Sequence, residues 1–261
     1  MTSRRTALAI AAAGVLTTVT GCGGSRRSLA HRVSTPGPSS PSPSPTHSFG
    51  PSHALTGGNG PDGSVTSTGT AAVALTFDDG PDPVTTPQLL DLLGHNNIKA
   101  TFNLVGFRAR DTPTVVARMA AEGHTICNHS WQHLMDLGKR PLAYQTWDLT
   151  HTTAFINKAA PDTPVRYMRA PGGNFTPQLV DLIRQQGMTP LYWDVDPRDW
   201  DSASYGHGPS MVSHIVSSVQ AHVKPGRIVL SHDCKHPDTI AAYATLLPWL
   251  KARYTLIPLP V

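Results

Sequence analysis

The sequence predicts an α/β domain on a largely parallel sheet, and three observations carry that expectation. From residue 71 onward, short apolar runs alternate with longer amphipathic stretches, the pattern of strands joined by crossover helices. Polar clusters fall at the carboxyl ends of the short runs: Asp78-Asp79, His129, Arg169, residues 196–200 and His232-Asp233. In barrels and open parallel sheets that edge is where loops converge on one crevice. Several longer stretches open on a threonine before a proline, namely Thr86, Thr112 and Thr176, as a cap ahead of a first helical turn does.

In chain order, the first strand is expected at 72–77, an apolar run closed by two acids and bent by Gly80-Pro81. A helix follows at 86–95, then a strand at 100–105, a helix at 112–122 and a strand at 124–127. The longest amphipathic stretch, 141–159, reads as a helix, followed by a strand at 166–169 and a helix at 176–186. The remaining strands are expected at 190–195, 228–231 and 254–257, with helices at 209–222 and 239–251 between them. No internal repeat accompanies the alternation.

The chain before residue 69 has a different character. Arg4 and Arg5 precede an apolar, small-residue stretch over 7–19 that is too short to span a bilayer stably, so residues 1–22 read as an export signal. It ends in Val19-Thr20-Gly21-Cys22, which resembles a bacterial lipobox. That ending implies lipidation of Cys22 and retention on the outer face of the cytoplasmic membrane; a plain secretory peptide or an uncleaved anchor is the alternative. Residues 23–68 include Ser39-Ser40-Pro41-Ser42-Pro43-Ser44-Pro45, a composition that cannot build a core and predicts a disordered tether. The folded domain is expected at 69–261.

The net charge of +4 belongs to the leader: residues 1–68 hold five Arg and one Asp, leaving sixteen basic and sixteen acidic residues in 69–261. A neutral domain of ordinary size is not a nucleic-acid binder. Cys127 lies two residues before His129 and Cys234 two after His232. Outside the cytoplasm a disulfide between them could persist; two separately buried thiols is the other reading.

Chemistry enters with the acids. Neighbouring side chains on a strand point to opposite sides, so Asp78 and Asp79 can take different tasks only where the strand ends. His129 and His133 are four apart, a spacing that on a helical turn would put both imidazoles on one face around a cation. Two histidines and one carboxylate leave open positions on an ion, as catalytic sites require. Alone the pair is weak, because the chain has 13 histidines.

Asp78-Asp79, His129-Ser130-x-x-His133, Arg169-Ala170-Pro171, Asp196-x-x-Asp199-Trp200 and Leu230-x-His232 together resemble, in order and approximate spacing, the five motifs of the polysaccharide deacetylase family, carbohydrate esterase family four. The resemblance implies a distorted (β/α) barrel that removes acetyl groups from glycans with a divalent metal, zinc by expectation, with cobalt, nickel or manganese as alternatives. It further implies that Asp79, His129 and His133 hold the metal and that Asp78 is the general base, held by Arg169. His232 would be the general acid, oriented by Asp199. Gly172 would offer its N–H to the oxyanion, while Trp200 and Leu230 would wall the acetyl pocket.

Asp194 and Asp196 have capping or supporting hydrogen bonds as an equal reading. Many relatives carry an aromatic residue where this chain has Gly172, so the groove should be more open there. Trp131, Trp193 and Tyr205 are the candidates to stack on sugar rings instead, against burial as the commoner fate of an aromatic.

The expected function is hydrolysis of N-acetyl groups on N-acetylglucosamine units by a monomeric, exported enzyme. Peptidoglycan is favoured by the membrane tether, chitin oligomers come next, and O-deacetylation of acetylxylan follows the same mechanism. A glycan-binding lipoprotein without activity is the rival from another class; it would ordinarily have lost the base, a ligand or the acid. A zinc protease is disfavoured because the histidine pair lacks the glutamate of His-Glu-x-x-His.

Overall fold

The computed structural model describes residue 55 and residues 58–261. The expected signal segment, Cys22 and most of the expected linker lie outside the described residues. Six parallel strands form one sheet: β1 (Ala74–Asp78), β2 (Thr101–Leu104), β3 (Thr125–Asn128), β4 (Tyr167–Met168), β5 (Thr189–Pro190) and β6 (Ile228–His232), in the order β5-β4-β3-β2-β1-β6. Among the described residues eight α-helices accompany them, seven between strands and the last after β6: α1 (Thr85–His95), α2 (Gly106–Asp111), α3 (Pro113–Ala121), α4 (Leu142–Ala159), α5 (Pro177–Gln185), α6 (Ser202–Tyr205), α7 (Pro209–His222) and α8 (Pro237–Lys251). Among the described residues no helix is long and apolar enough to cross a membrane.

The sheet curls until its two edges are linked by one segment. Leu191 N–H donates to the Met168 carbonyl at the β4 edge, and four residues later Leu230 N–H of β6 donates to the Val195 carbonyl. The single strand expected at 190–195 is therefore divided: its start extends one edge and its end pairs with the other. This closes a distorted barrel whose interior and exterior alternate along every strand. In β1, Leu75 and Phe77 face the helices while Ala74 joins the interior. Period two then sends Thr76 and Asp78 inward as well.

The floor of the interior is apolar, built from Ala74, Cys127, Tyr167, Leu191, Ile228 and Leu259. Outside, Phe77 packs on Phe102 and edge-on to Tyr243, with ring centroids 5.6 and 4.9 Å apart. Leucines 89, 90 and 93 of α1 and 246, 247 and 250 of α8 complete this outer core. The site thus stands on a filled barrel, open only at the carboxyl ends of the strands.

Four expectations are corrected. Residues 254–257 form no strand, because both edges of β1 are taken by β2 and β6; only Val73, ahead of that ladder, bridges Leu256. Residues 58–68 are not a free tether: Val65 bridges Leu191 and lies in the barrel floor, and Ser67 bridges Arg227. Helix α2 was missed since the six-residue stretch Gly-Phe-Arg-Ala-Arg-Asp is too short to show a period. Of the three threonine caps only Thr176 accepts a capping bond, from Leu179 N–H; α1 begins one residue before Thr86, and Thr112 donates to the Arg108 carbonyl instead.

Val65→Ala should lower the free energy of unfolding by roughly 2 kcal/mol through the cavity left in the floor. Urea denaturation measures this; an unchanged midpoint would mean that the segment before residue 69 is not part of the fold.

Candidate active site

Asp78 is the last residue of β1 and is buried. Its Oδ1 accepts two hydrogen bonds of 2.6 Å, from Arg169 Nη1 and Asn103 Nδ2. Asn103 sits opposite Asp78 in the β1–β2 register. Oδ2 is left facing His129 Nε2 at 3.6 Å. The fully buried Arg169 does not clasp Asp78 with both arms: Nη1 also donates to Thr76 Oγ1 at 2.9 Å, and Nη2 donates to the Tyr192 carbonyl at 2.8 Å.

At Asp79 the backbone turns left-handed, with φ 74°, which takes its side chain out of the strand's alternation. Asp79 Oδ1 lies 3.3 Å from His129 Nε2 and 3.1 Å from His133 Nε2. Burial pushes the Asp79 carboxyl up, but the two imidazoles outweigh it and hold it far below the usual carboxylate range.

The histidine pair is not carried on a helical turn as its spacing suggested. Ser130 and His133 both have positive φ, 65° and 57°, and a folded loop brings the rings together at 4.9 Å. Side chains behind the loop hold it: Asn128 Oδ1 accepts from Ser130 N–H, Asp148 Oδ1 from Trp131 N–H, and Ser130 Oγ from His133 N–H, each at 2.9 Å. His129 Nδ1 donates to the Arg169 carbonyl at 2.7 Å, which fixes the tautomer and leaves the Nε2 lone pair on the Asp79 side.

These three side chains fit a divalent metal. Two imidazole nitrogens and one carboxylate oxygen lie within 4.8 Å of one another, and Asp79 Oδ1 is buried without a hydrogen-bond partner. Such a donor set leaves a position open for water or substrate.

Opposite stands His232 at the end of β6. Its Nδ1 bonds Asp199 Oδ1 at 2.7 Å, its N–H donates to Asp199 Oδ2 at 2.7 Å, and Thr239 Oγ1 donates to that same oxygen at 2.8 Å. Burial pushes the imidazole down, yet the Asp199 carboxylate, with smaller help from Asp79 and Asp78, raises it to about 10. Asp199 moves the opposite way, below the usual range, because His232 outweighs its burial.

A cleft of about 350 Å³ joins these groups, and Gly172, Trp193, Asp196, Trp200 and Leu230 line it as well. Every expected site residue within the described region is therefore brought to one place. The roles of the remaining candidates divide. Trp193 faces the cleft, whereas Trp131 is buried against Phe155 and His151, and Tyr205 stacks on His214. Asp194 pairs with Arg227, and Asp196 accepts from Arg198 N–H at 2.7 Å while also lining the cleft. Cys127 and Cys234 are free and buried: the first is in the barrel floor, the second against Arg108.

Three supporting residues were not singled out from sequence. Asn103 is visible only once the β1–β2 register is known, and Asp148 lies in mid-helix with nothing to mark it. Asp233, quoted as part of a cluster, is fully buried under Gly80, where a Cβ would run into its carboxylate, and it accepts from Thr86 Oγ1. Burial, with the Asp79 and Asp78 charges adding, pushes Asp233 up to about 7.

The sequence pattern described as polysaccharide deacetylase matches residues 66–191. A chitooligosaccharide deacetylase of Sinorhizobium fredii is 36% identical over 204 residues, covering 73% of this chain and 90% of that protein. A peptidoglycan-N-acetylglucosamine deacetylase of Bacillus cereus is 36% identical over 183 residues, covering 69% and 81%. The solved structure of a family 4 carbohydrate esterase from Streptomyces lividans, in complex with acetate, superposes with a TM-score of 0.63 at 30% identity, covering 71% of this chain and 90% of that one.

Asp79→Ala should abolish retention of a divalent metal, and Asp78→Asn should leave it within about tenfold of the parent, since Asp78 is not among the clustered donors. Equilibrium dialysis with metal analysis separates them; equal loss in both variants would contradict the division.

Proposed function

The chain belongs to the polysaccharide deacetylase family, and from that premise we propose that it hydrolyses N-acetyl groups on glycans of N-acetylglucosamine, with Asp79, His129 and His133 holding a divalent metal. The observation that carries this reading is the split between the adjacent carboxylates: one is tied to Arg169, the other to two histidines. A divalent cation there supplies Lewis acidity, polarising the acetyl carbonyl and lowering the pKa of water.

The chain's own groups do the rest. Asp78 has Oδ1 occupied by Arg169 and Asn103, so Oδ2 is the oxygen that takes a proton from the attacking water. Arg169 and Asn103 keep that carboxylate from rotating. His232, charged through neutral pH by Asp199, gives its Nε2 proton to the departing amine, because Nδ1 is committed to Asp199. Leu230 and Trp200 border the cleft where the acetyl methyl would lie, and Gly172, exposed on the same cleft, would offer its backbone N–H to the oxyanion.

Zinc is the metal of this reading, since imidazole and carboxylate donors suit it. Peptidoglycan is the favoured polymer on the sequence of the leader, which would export the chain and tether it through Cys22 outside the membrane. Chitin oligomers share the same reacting unit. The rival reading, a glycan-binding protein without turnover, is disfavoured because base, ligands and acid are all present and mutually oriented.

The full zinc-loaded chain is expected to release acetate from peptidoglycan or chitin oligomers faster than from acetylxylan; no release from any would return weight to the binding protein. Asp78→Asn should lower kcat by about 10²- to 10⁴-fold. Asp199→Asn should move the alkaline limb of the rate–pH profile down, because a raised imidazole is charged, and active as acid, only below its own pKa. The His232–Asp199 contribution to stability carries the same sign: present below about pH 6.5 and lost as pH rises toward about 10. A cation at Asp79 cancels that carboxylate's share of the upward push but leaves that of Asp199, and an unmoved alkaline limb would count against His232 as the acid.

A further inference from the structure

Arg169 donates through both Nη arms, to Thr76, Asp78 and the Tyr192 carbonyl, but its Nε is buried with no hydrogen-bond partner. A charged donor left bare in an interior is costly. The guanidinium carbon lies over the ring of Trp193, 5.6 Å from its centroid, within the range of a cation–π contact. The face of an aromatic ring is also a weak acceptor for an N–H.

Trp193 is itself held in place. Tyr192 stacks on it with ring centroids 4.0 Å apart at an interplanar angle of 10°. Neighbouring side chains on a regular strand point to opposite faces and cannot stack. Here the chain between the bridges at Leu191 and Val195 is irregular, which lets both rings turn to one side. Room for them comes from Gly173 in the loop after Arg169: with φ 69°, a Cβ there would run into Tyr192 Cε2 and Trp193 Cη2. One dipeptide thus grips the guanidinium twice, by the Tyr192 carbonyl and by the Trp193 ring.

Trp193 also borders the cleft, where an indole could serve as a platform for a sugar. The parallel Tyr192 ring closes one of its faces to that use, and the residue is half-buried.

We propose that Trp193 is a positioning residue for the base: its indole covers the unpartnered Nε–H of Arg169 and keeps Nη1 on the Asp78 carboxylate. Without the ring, water reaches Nε, the guanidinium can pivot toward it, and Asp78 Oδ1 is left to Asn103 alone. Turnover falls while the metal ligands stay in place. That kinetic consequence rests on the glycan deacetylase reading above; the contact itself does not.

Two measurements on the full chain test this, using Trp193→Leu, which removes the π face, and Trp193→Phe, which keeps one. In isotope-labelled, metal-free protein the Arg169 Nε–H resonance, assigned through its Cδ, should lie upfield of ordinary arginine signals and be protected from exchange with water. It should move downfield and lose protection in Trp193→Leu, and stay close to the parent in Trp193→Phe. On chitin oligomers the metal-loaded Trp193→Leu should lose about tenfold in kcat with KM within about twofold, and Trp193→Phe should recover most of the loss. An Nε–H signal at the ordinary position in the folded parent, or one unmoved in Trp193→Leu, overturns the proposal. Unchanged kcat in Trp193→Leu overturns it too, and a raised KM alongside marks a sugar platform instead. If the parent releases no acetate, the Nε–H signal decides the contact by itself and only the deacetylase reading falls.

Discussion

A fully buried guanidinium is the constraint on which the rest depends. Arg169 stands inside the barrel with one arm on Thr76 and Asp78 of β1 and the other on the Tyr192 carbonyl of the segment that links the two sheet edges. Its own carbonyl receives Nδ1–H of His129. One residue therefore fixes the base, a metal ligand and the closure of the barrel. A charge this deep is tolerated only because it is paired; removing it would strand the Asp78 carboxylate, a cost of about 3–5 kcal/mol.

The polar cap and the apolar floor come from the same alternation. Strand residues below the site, Ala74, Cys127, Tyr167 and Ile228, fill the interior, so the charged groups above them stand on a packed base and not over water. Where alternation alone would send two neighbouring acids to opposite faces, the left-handed turn at Asp79 brings the second one back over the same opening. Left-handed conformations at non-glycine residues cost of order 1–3 kcal/mol each; three of the eight among the described residues, Asp79, Ser130 and His133, shape the metal site. That strain is set against the hydrogen bonds of Asn128, Asp148 and Ser130 to the histidine loop.

Much of this was legible in the sequence, for identifiable reasons. Long apolar runs and amphipathic stretches located the strands from 72 to 231 and the longer helices, because burial on both faces of a parallel sheet leaves a continuous signal. The site residues were legible because their chemistry is rare at strand ends. What escaped depends on pairing in three dimensions. Asn103 is functional only through its register with Asp78, residues 254–257 fail as a strand because no edge was free, and 58–68 look like a tether until Val65 is seen in the floor. The histidine spacing was right about proximity and wrong about the backbone: a loop with two positive-φ residues can do at i, i+4 what a helix does.

The central claim is that Asp78 and Asp79, adjacent in the chain, are separated into a base held by Arg169 and a metal ligand. The most direct test is a crystal structure of the zinc-soaked chain with the ion located by anomalous scattering. The account predicts one ion bound by Asp79, His129 and His133, with Asp78 Oδ1 still on Arg169 and Oδ2 outside the coordination sphere. An ion ligated by Asp78, or an Arg169 released from it, would contradict the account.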